Sequence, residues 1–385
     1  MIKEDFRAKE IREMFDRWSN AREDWDVAAR EDIDFYLGNH FSAEESDELA
    51  SRNQSAVPID RLYSAIEQFK AIITSKPPKF SAVAREDSDT KLANVWKVIL
   101  EYIWDLSDGD EQFKQAVHDY TVTGLGYFYA YIDKEADYGR GEIKFKHLNP
   151  FKVYVDPNSR DRYFDDASGM MVSHVMSRMQ LLDAYPQLGQ PIEEGEEKLL
   201  IDSIETVSEE DWPDNTNKRT MGSFTPDVVK DYDYQGSNEK YRLIEYYSKV
   251  KVPYYRVLDK RTNQEKIIEK EQFDAMSQEG QFINAIKKGL IDFVEVQQTR
   301  IRQTCSVGQI VLYDLVLDTD IYPIVPVPNI WTNTPYPMSD VRKNKDFQRF
   351  LNKTVSLITS HAQASSGLKL LIPQGSVQDI EELER

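Results

Sequence analysis

One cysteine, Cys305, stands in 385 residues. A lone thiol excludes an intrachain disulfide framework and any metal site built from several cysteines, and it points to maturation in a reducing cytoplasm. No apolar run approaches the roughly 18 residues of a membrane span, and the mean hydropathy is −0.60. No membrane partner is expected. The first residues, MIKEDFRAKEIREMFDRW, are too charged for a secretory signal. Basic residues are in the minority, 48 Lys and Arg against 67 Asp and Glu, giving a net charge of −19. That balance excludes a simple sequence-reading nucleic-acid binder, which is basic overall. It leaves room for a surface past which DNA slides, since such a surface repels phosphate broadly and attracts it only locally.

Catalytic signatures are missing as well. The chain has no G-x-x-x-x-G-K-[ST] phosphate loop, no H-E-x-x-H and no G-x-S-x-G. Its histidines, His40, His118, His147, His174 and His361, are scattered and read as structural. Cys305 reads as a small buried residue. No cofactor, metal or enzymatic role is expected, and the absences lean towards a structural or assembly protein.

What is present is a core: 40% hydrophobic residues, with 21 Tyr and 17 Phe, too many for a disordered chain. Residues 1–37 repeat apolar side chains near a 3.6-residue period and predict a helix, with a stop at Gly38-Asn39. Residues 40–57 are polar and read as a loop. Helices follow over about 58–75, ended by Lys76-Pro77-Pro78, and over about 87–123, interrupted at Ser107-Asp108-Gly109. The texture then turns to strand at Tyr127–Ile132, Glu142–His147 and Lys152–Val155, read as one antiparallel unit on a helical base. The fold class is α+β. A short helix is predicted at 177–188. An acidic stretch spans 190–240, with ten acids and one lysine within 193–214, and reads as a solvated surface or insertion. Strand returns at 241–258, a helix at 269–289 and alternating strands over 291–327. Five prolines in 323–337 make a segment that cannot be a central strand.

A helix over 339–365, capped by Ser339 or Asp340, carries two faces. Phe347, Phe350, Leu351, Thr354, Val355, Ile358 and Ala362 form the apolar one. Arg342, Lys345, Arg349 and Lys353, with Ser356 and Ser360, form the other. A basic stripe in so acidic a chain is a solvated face, a face bridging to acidic neighbours, or a phosphate-contacting rail. Arg300 and Arg302 share one face of their strand, which is either plain solvent surface or an edge for ring closure or partner docking.

Four stretches together resemble the portal proteins of tailed bacteriophages, specifically the P22-like portal group. They are Asp119–Tyr127 with Gly124 and Gly126; Leu148–Pro157 with Asn149, Pro150, Asp156 and Pro157; Tyr322–Val327 with Pro323 and Pro326; and Asp346–Lys353 with Gln348 and Asn352. The resemblance implies a portal fold: a helical and β wing at 1–265, a first stem helix and small α/β clip at 266–335, a second stem helix at 336–366, and a return to the wing at 367–385. Portal relatives continue into an upper crown or barrel, so the resemblance implies either a truncated chain, the favoured reading, or a portal without its upper part.

The resemblance further implies a ring of twelve copies at the unique capsid vertex. Its axial channel would pass double-stranded DNA without sequence specificity during packaging and ejection. Its partners would be the terminase, the tail adaptor, and the major capsid and scaffolding proteins. Its place would be the virion, with assembly in the bacterial host cytoplasm. On this reading the stripe Arg342, Lys345, Arg349 and Lys353 faces either the DNA channel or a neighbouring subunit, and Arg300 and Arg302 belong to the clip. A head–tail adaptor or tail-hub protein is the alternative, and a carboxylate-based hydrolase is the alternative of another class.

Overall fold

The structure, a computed structural model, describes residues 6–52, 54, 56–84, 89–191, 199–207, 239–260, 264–278 and 290–366. Helix α1 (Phe6–Tyr36) buries a stripe that includes Ile11, Phe15, Trp18, Trp25, Ala29 and Phe35. Two charged residues, Arg22 and Asp32, lie on that same stripe. The segment read as a loop over 40–57 contains a second helix, α2 (Ala43–Ser51). A capping box starts it: the Ser42 hydroxyl accepts from the Glu45 amide at 3.1 Å, and the Ser42 amide donates to the Glu45 carboxylate at 2.9 Å. Its polarity reflects a helix that buries no residue.

Helices α3 (Leu62–Thr74), α4 (Thr90–Leu106) and α5 (Gly109–Val122) follow the expected pattern. The break between α4 and α5 is steric and conformational. Asp108 is left-handed at φ 50°, and a Cβ on Gly109 would stand 2.3 Å from the Trp104 ring.

The strands form two sheets. Strand β1 (Leu125–Asp133) lies between β2 (Glu142–Leu148) and β9 (Ile324–Pro328), antiparallel to both. Strand β9 carries Pro326 and Pro328 and is an edge, the position proline tolerates. The second sheet has the order β3 (Val153–Val155), β4 (Gly169–Ser177), β5 (Lys240–Asp259), β7 (Ile291–Val307) and β8 (Ile310–Leu317), with β6 (Gln264–Glu269) added to the far end of β5. The single unit expected from β1 to β3 is therefore split. Asn149 caps a 3-10 turn at Pro150–Lys152, accepting from the Phe151 amide at 2.9 Å, and this turn carries the chain from one sheet to the other.

The second sheet also runs across the expected wing boundary at 265/266, because β5 and β7 pair from Leu243↔Val307 to Asp259↔Ile291. Where a first stem helix was expected, the described residues hold α7 (Lys270–Gln278), nine residues long. Its Phe273 stacks on Tyr255 at a centroid distance of 4.0 Å. The rest of the predicted 269–289 helix, most of the acidic stretch and the return over 367–385 lie outside the described residues. Helix α6 (Arg178–Ala184) starts on a Ser177–Gln180 capping box. The last helix, α8 (Asp340–Ser366), has 27 residues and is ~40 Å long.

The main core lies between the two sheets and under α1, around Trp25, Tyr127, Phe151, Phe164, Met170 and Tyr247. A second cluster ties the helices together through Phe35, Tyr36, Leu62, Ile66, Val122 and Val341.

Gly124 joins the two regions. Its φ is +90°, and a Cβ there would come within 2.9 Å of the backbone of Pro337, Met338 and Ser339, the lead-in to α8. Gly124→Ala is expected to destabilise the subunit by about 2 kcal/mol, from left-handed strain and backbone overlap. Urea unfolding of the purified variant would measure it, and an unchanged midpoint would contradict the assignment.

Candidate functional site

Helix α8 carries the basic stripe together with Gln348 and Asn352, and its faces lie opposite to the expected way round. The sequence places Phe347, Phe350 and Ile358 on a packing face. In the folded chain they are exposed by 76%, 71% and 63%. The polar side faces inward: Lys345, Gln348, Asn352 and Ser356 are all buried.

Most of the inward side is satisfied, though Arg342 Nη2 is buried without a hydrogen-bond partner among the described residues. Asp32 of α1, fully buried, accepts from Arg342 Nε at 3.0 Å, Lys345 Nζ at 3.2 Å and the Ser339 hydroxyl at 2.8 Å. Glu31 pairs with Lys345 at 2.9 Å and with Arg349 at 2.6 Å. Three members of the basic stripe thus bridge to acids of their own chain, one of the alternatives the sequence leaves open. Lys353 is exposed and has no ion-pair partner among the described residues. Burial pushes the Asp32 carboxyl above its ordinary value, more than Arg342, Ser339 and Lys345 pull it down. Burial also acts on Glu31, but Lys345 and Arg349 outweigh it and hold that carboxyl low.

Farther along α8, successive turns fasten the segment 57–62. Gln348 Oε1 accepts from the Arg61 and Leu62 amides at 3.2 and 3.1 Å. Together with Asp60, whose carboxylate accepts from the Tyr63 amide at 2.8 Å, it caps the N-terminus of α3. Asn352 Oδ1 accepts from the Ile59 amide at 3.2 Å and receives the Gln348 amide at 2.8 Å. Its Nδ2 reaches His40 Nδ1 at 3.0 Å. The Ser339 hydroxyl caps α8 itself, accepting from the Arg342 amide at 2.8 Å.

The other singled-out residues are dispersed. Gly126 lies so close to the Ala116 carbonyl that a Cβ would approach to 2.6 Å. Asp156 accepts from the Asn158 amide at 2.9 Å and from Ser168, which closes the turn after Pro157. The Pro323 carbonyl accepts from the Ala130 amide at 2.9 Å, and Pro326 pairs with Tyr127. Arg300 donates to Tyr254 at 3.1 Å and pairs with Asp318 at 2.9 Å. Arg302 pairs with Asp314 at 2.8 Å. Both arginines are therefore engaged inside the chain, on the β7–β8 part of the sheet. Cys305 is buried, and burial pushes its thiol up to about 12.

A polar junction joins α1, α3 and α5. Lys70 bridges Glu67 at 2.7 Å and His118 Nδ1 at 3.1 Å. Burial, and then the Lys70 charge, lower the His118 value below its ordinary 6.5. A depressed imidazole contributes stability that is complete above the unfolded value and is lost as pH falls through 6.5 towards the folded one. The subunit is expected to melt lower at pH 5.5 than at pH 7.5, and His118→Gln should flatten that difference. Thermal melts of both proteins across this range would check it.

The apolar surface on the outside is extensive. The helix α4 buries no residue, and its Leu92, Val95, Trp96 and Val98 are more than half exposed. A groove of about 390 Å³ between α3 and α8 is lined by Leu62, Ile66, Phe69, Phe347 and Leu351. Patches of this kind mark contact surfaces rather than free surface. No helix among the described residues is long and apolar enough to cross a membrane.

A mixed α+β chain with its last long helix turned apolar side out has the character of an assembly subunit. The chain belongs to the Phage P22-like portal protein family, whose pattern matches residues 12–385. That family is structural rather than catalytic, in keeping with the reading of the motifs. A comparison with curated proteins finds no match.

Proposed function

We propose that the chain is the portal subunit of a tailed phage, assembling into a ring of twelve at the unique capsid vertex. The axial channel passes double-stranded DNA in packaging and ejection, while the terminase supplies the motor and the tail adaptor later docks on the same assembly. The observation that carries this reading is the family match over residues 12–385. The outward apolar faces of α4 and α8 support the assembly part, since a ring gives them a neighbour to pack on.

The structure changes which residues are candidates for DNA contact. Arg342, Lys345 and Arg349 are matched by Asp32 and Glu31, so they offer little free charge to phosphate. Lys353, exposed and without an ion-pair partner among the described residues, is the member of the stripe left to do so. The channel then needs only weak, sequence-independent and salt-sensitive contacts, which suits a chain of net charge −19.

Negative-stain imaging of the purified chain tests the assembly: rings with a central hole are expected, and a monomer would count against the reading. For the DNA contact, Lys353→Glu is expected to lower the DNA packaged per particle while rings still form. Normal packaging by that variant would remove Lys353 from the channel.

A further inference from the structure

The far end of the second sheet is a three-stranded block, β6-β5-β7, with both of its outer edges open among the described residues. Residues 264–269 of β6 pair with 254–259 of β5, and these pair in turn with 291–296 of β7. The two open edges therefore stand at the same level of the sheet. Strand β8 pairs with β7 only from Ile301 onward. Among the described residues nothing pairs with the outer side of β6 or with β7 before that point. Both strands are antiparallel to β5, so they run parallel to each other. Helix α7 covers one face of the block through Phe273, packed with Val257, Tyr255, Ile268 and Ile291. The opposite face leaves Ile267 and Val294 more than half exposed, beside a groove of about 400 Å³ lined by Tyr254, Arg256, Glu265, Ile267, Val296 and Gln298.

A long open strand edge is a template for pairing with another chain. Here one chain offers two such edges, on opposite sides and in the same direction. That is the geometry of head-to-tail association, in which one edge of a copy receives the other edge of the next. The charges are complementary too. Lys266 on β6 and Glu295 on β7 point to the same face of the block, and neither has an ion-pair partner within the described residues. The register that sets Lys266 beside Glu295 also sets Ile267 beside Val296 and moves Glu265 clear of Asp292. We propose that β7 of one subunit pairs in parallel with β6 of the next copy of this chain, so that the ribbon tips join into one continuous sheet around the ring. This rests on the ring reading above and names one of its contacts.

Cysteine cross-linking tests it in the full chain. Lys266 and Glu295 of one copy are two strands apart, about 10 Å, too far for an intrachain disulfide. Oxidised Lys266→Cys/Glu295→Cys protein should run as a denaturing-gel ladder of multimers, with most chains linked. Each single variant should stay monomeric, and a mixture of the two singles should stop at dimers. Rings seen in negative stain without a ladder would overturn the strand pairing and leave the ring reading standing. A ladder ending at dimers in the double variant would overturn head-to-tail closure. A wild-type chain that forms no ring would remove both. Should the double variant alone fail to form rings, the charge swap Lys266→Glu/Glu295→Lys decides: restored rings support the pairing, and their absence overturns it.

Discussion

Asp32→Ala is expected to loosen α8 from α1 and to cost about 3 kcal/mol of subunit stability. Asp32 is fully buried and holds Arg342, Lys345 and Ser339 together. Removing it leaves Arg342, whose side chain is 23% exposed, without its carboxylate. Breaking a buried charge cluster costs more than the cluster contributes, because the stranded charge keeps its desolvation penalty. Glu31 still holds Lys345 at 2.9 Å, which places the loss at the lower end of the range for such sites. The raised Asp32 value adds a second expectation. Its cations do not fully repay its burial, so removing the whole cluster should be milder than removing its centre. Asp32→Leu combined with Arg342→Met and Lys345→Met is expected to recover most of the loss. Urea midpoints of the two proteins, with hydrogen exchange along α1 and α8, would show it. A single variant as stable as the wild type would mean that Asp32 does not hold the helices together.

This contact also shows where the sequence was legible and where it was not. The extent of helix α8 was readable, with its cap narrowed to Ser339 or Asp340, because length, cap and freedom from proline are local properties. Which of its faces turns inward was not, because apolarity alone assigns Phe347 and Phe350 to the core. The chain resolves the choice through specific polar matches: Gln348, Asn352 and Ser356 meet unpaired amides at 57–62, and Arg342 and Lys345 meet Asp32. The partner half of that match was visible in α1, where Arg22 and Asp32 fall on a stripe otherwise made of Ile11, Phe15, Trp18, Trp25, Ala29 and Phe35. Charges on an apolar stripe are a signal of buried pairing. The Ser42–Glu45 capping box likewise marked α2 in a segment read as loop. Strand partners were the least legible. Nothing within 125–155 shows that β3 leaves β1 and β2 for a sheet whose other strands come from 169–317.

Phe350→Glu is expected to abolish ring assembly and leave the subunit folded. Phe350 is 71% exposed in the single chain, and a surface substitution of this kind moves stability by no more than about 0.5 kcal/mol. In the proposed ring the same side chain would lie in a contact that every copy makes. Losing a buried phenyl ring costs about 2 kcal/mol per contact, and placing a carboxylate there without a partner costs a similar amount again. Together this is about 4 kcal/mol, close to a thousandfold weaker association at each interface. Trp96→Glu on α4 should act the same way, since that helix buries none of its side chains in the single chain. Sedimentation velocity separates the outcomes: a folded monomer from both variants where the wild type forms rings. If Phe350→Glu assembled normally, the outer face of α8 would not be a subunit contact. It would then have to meet a different protein or line the channel, and in a channel an added carboxylate would show as altered DNA packaging in particles with intact rings.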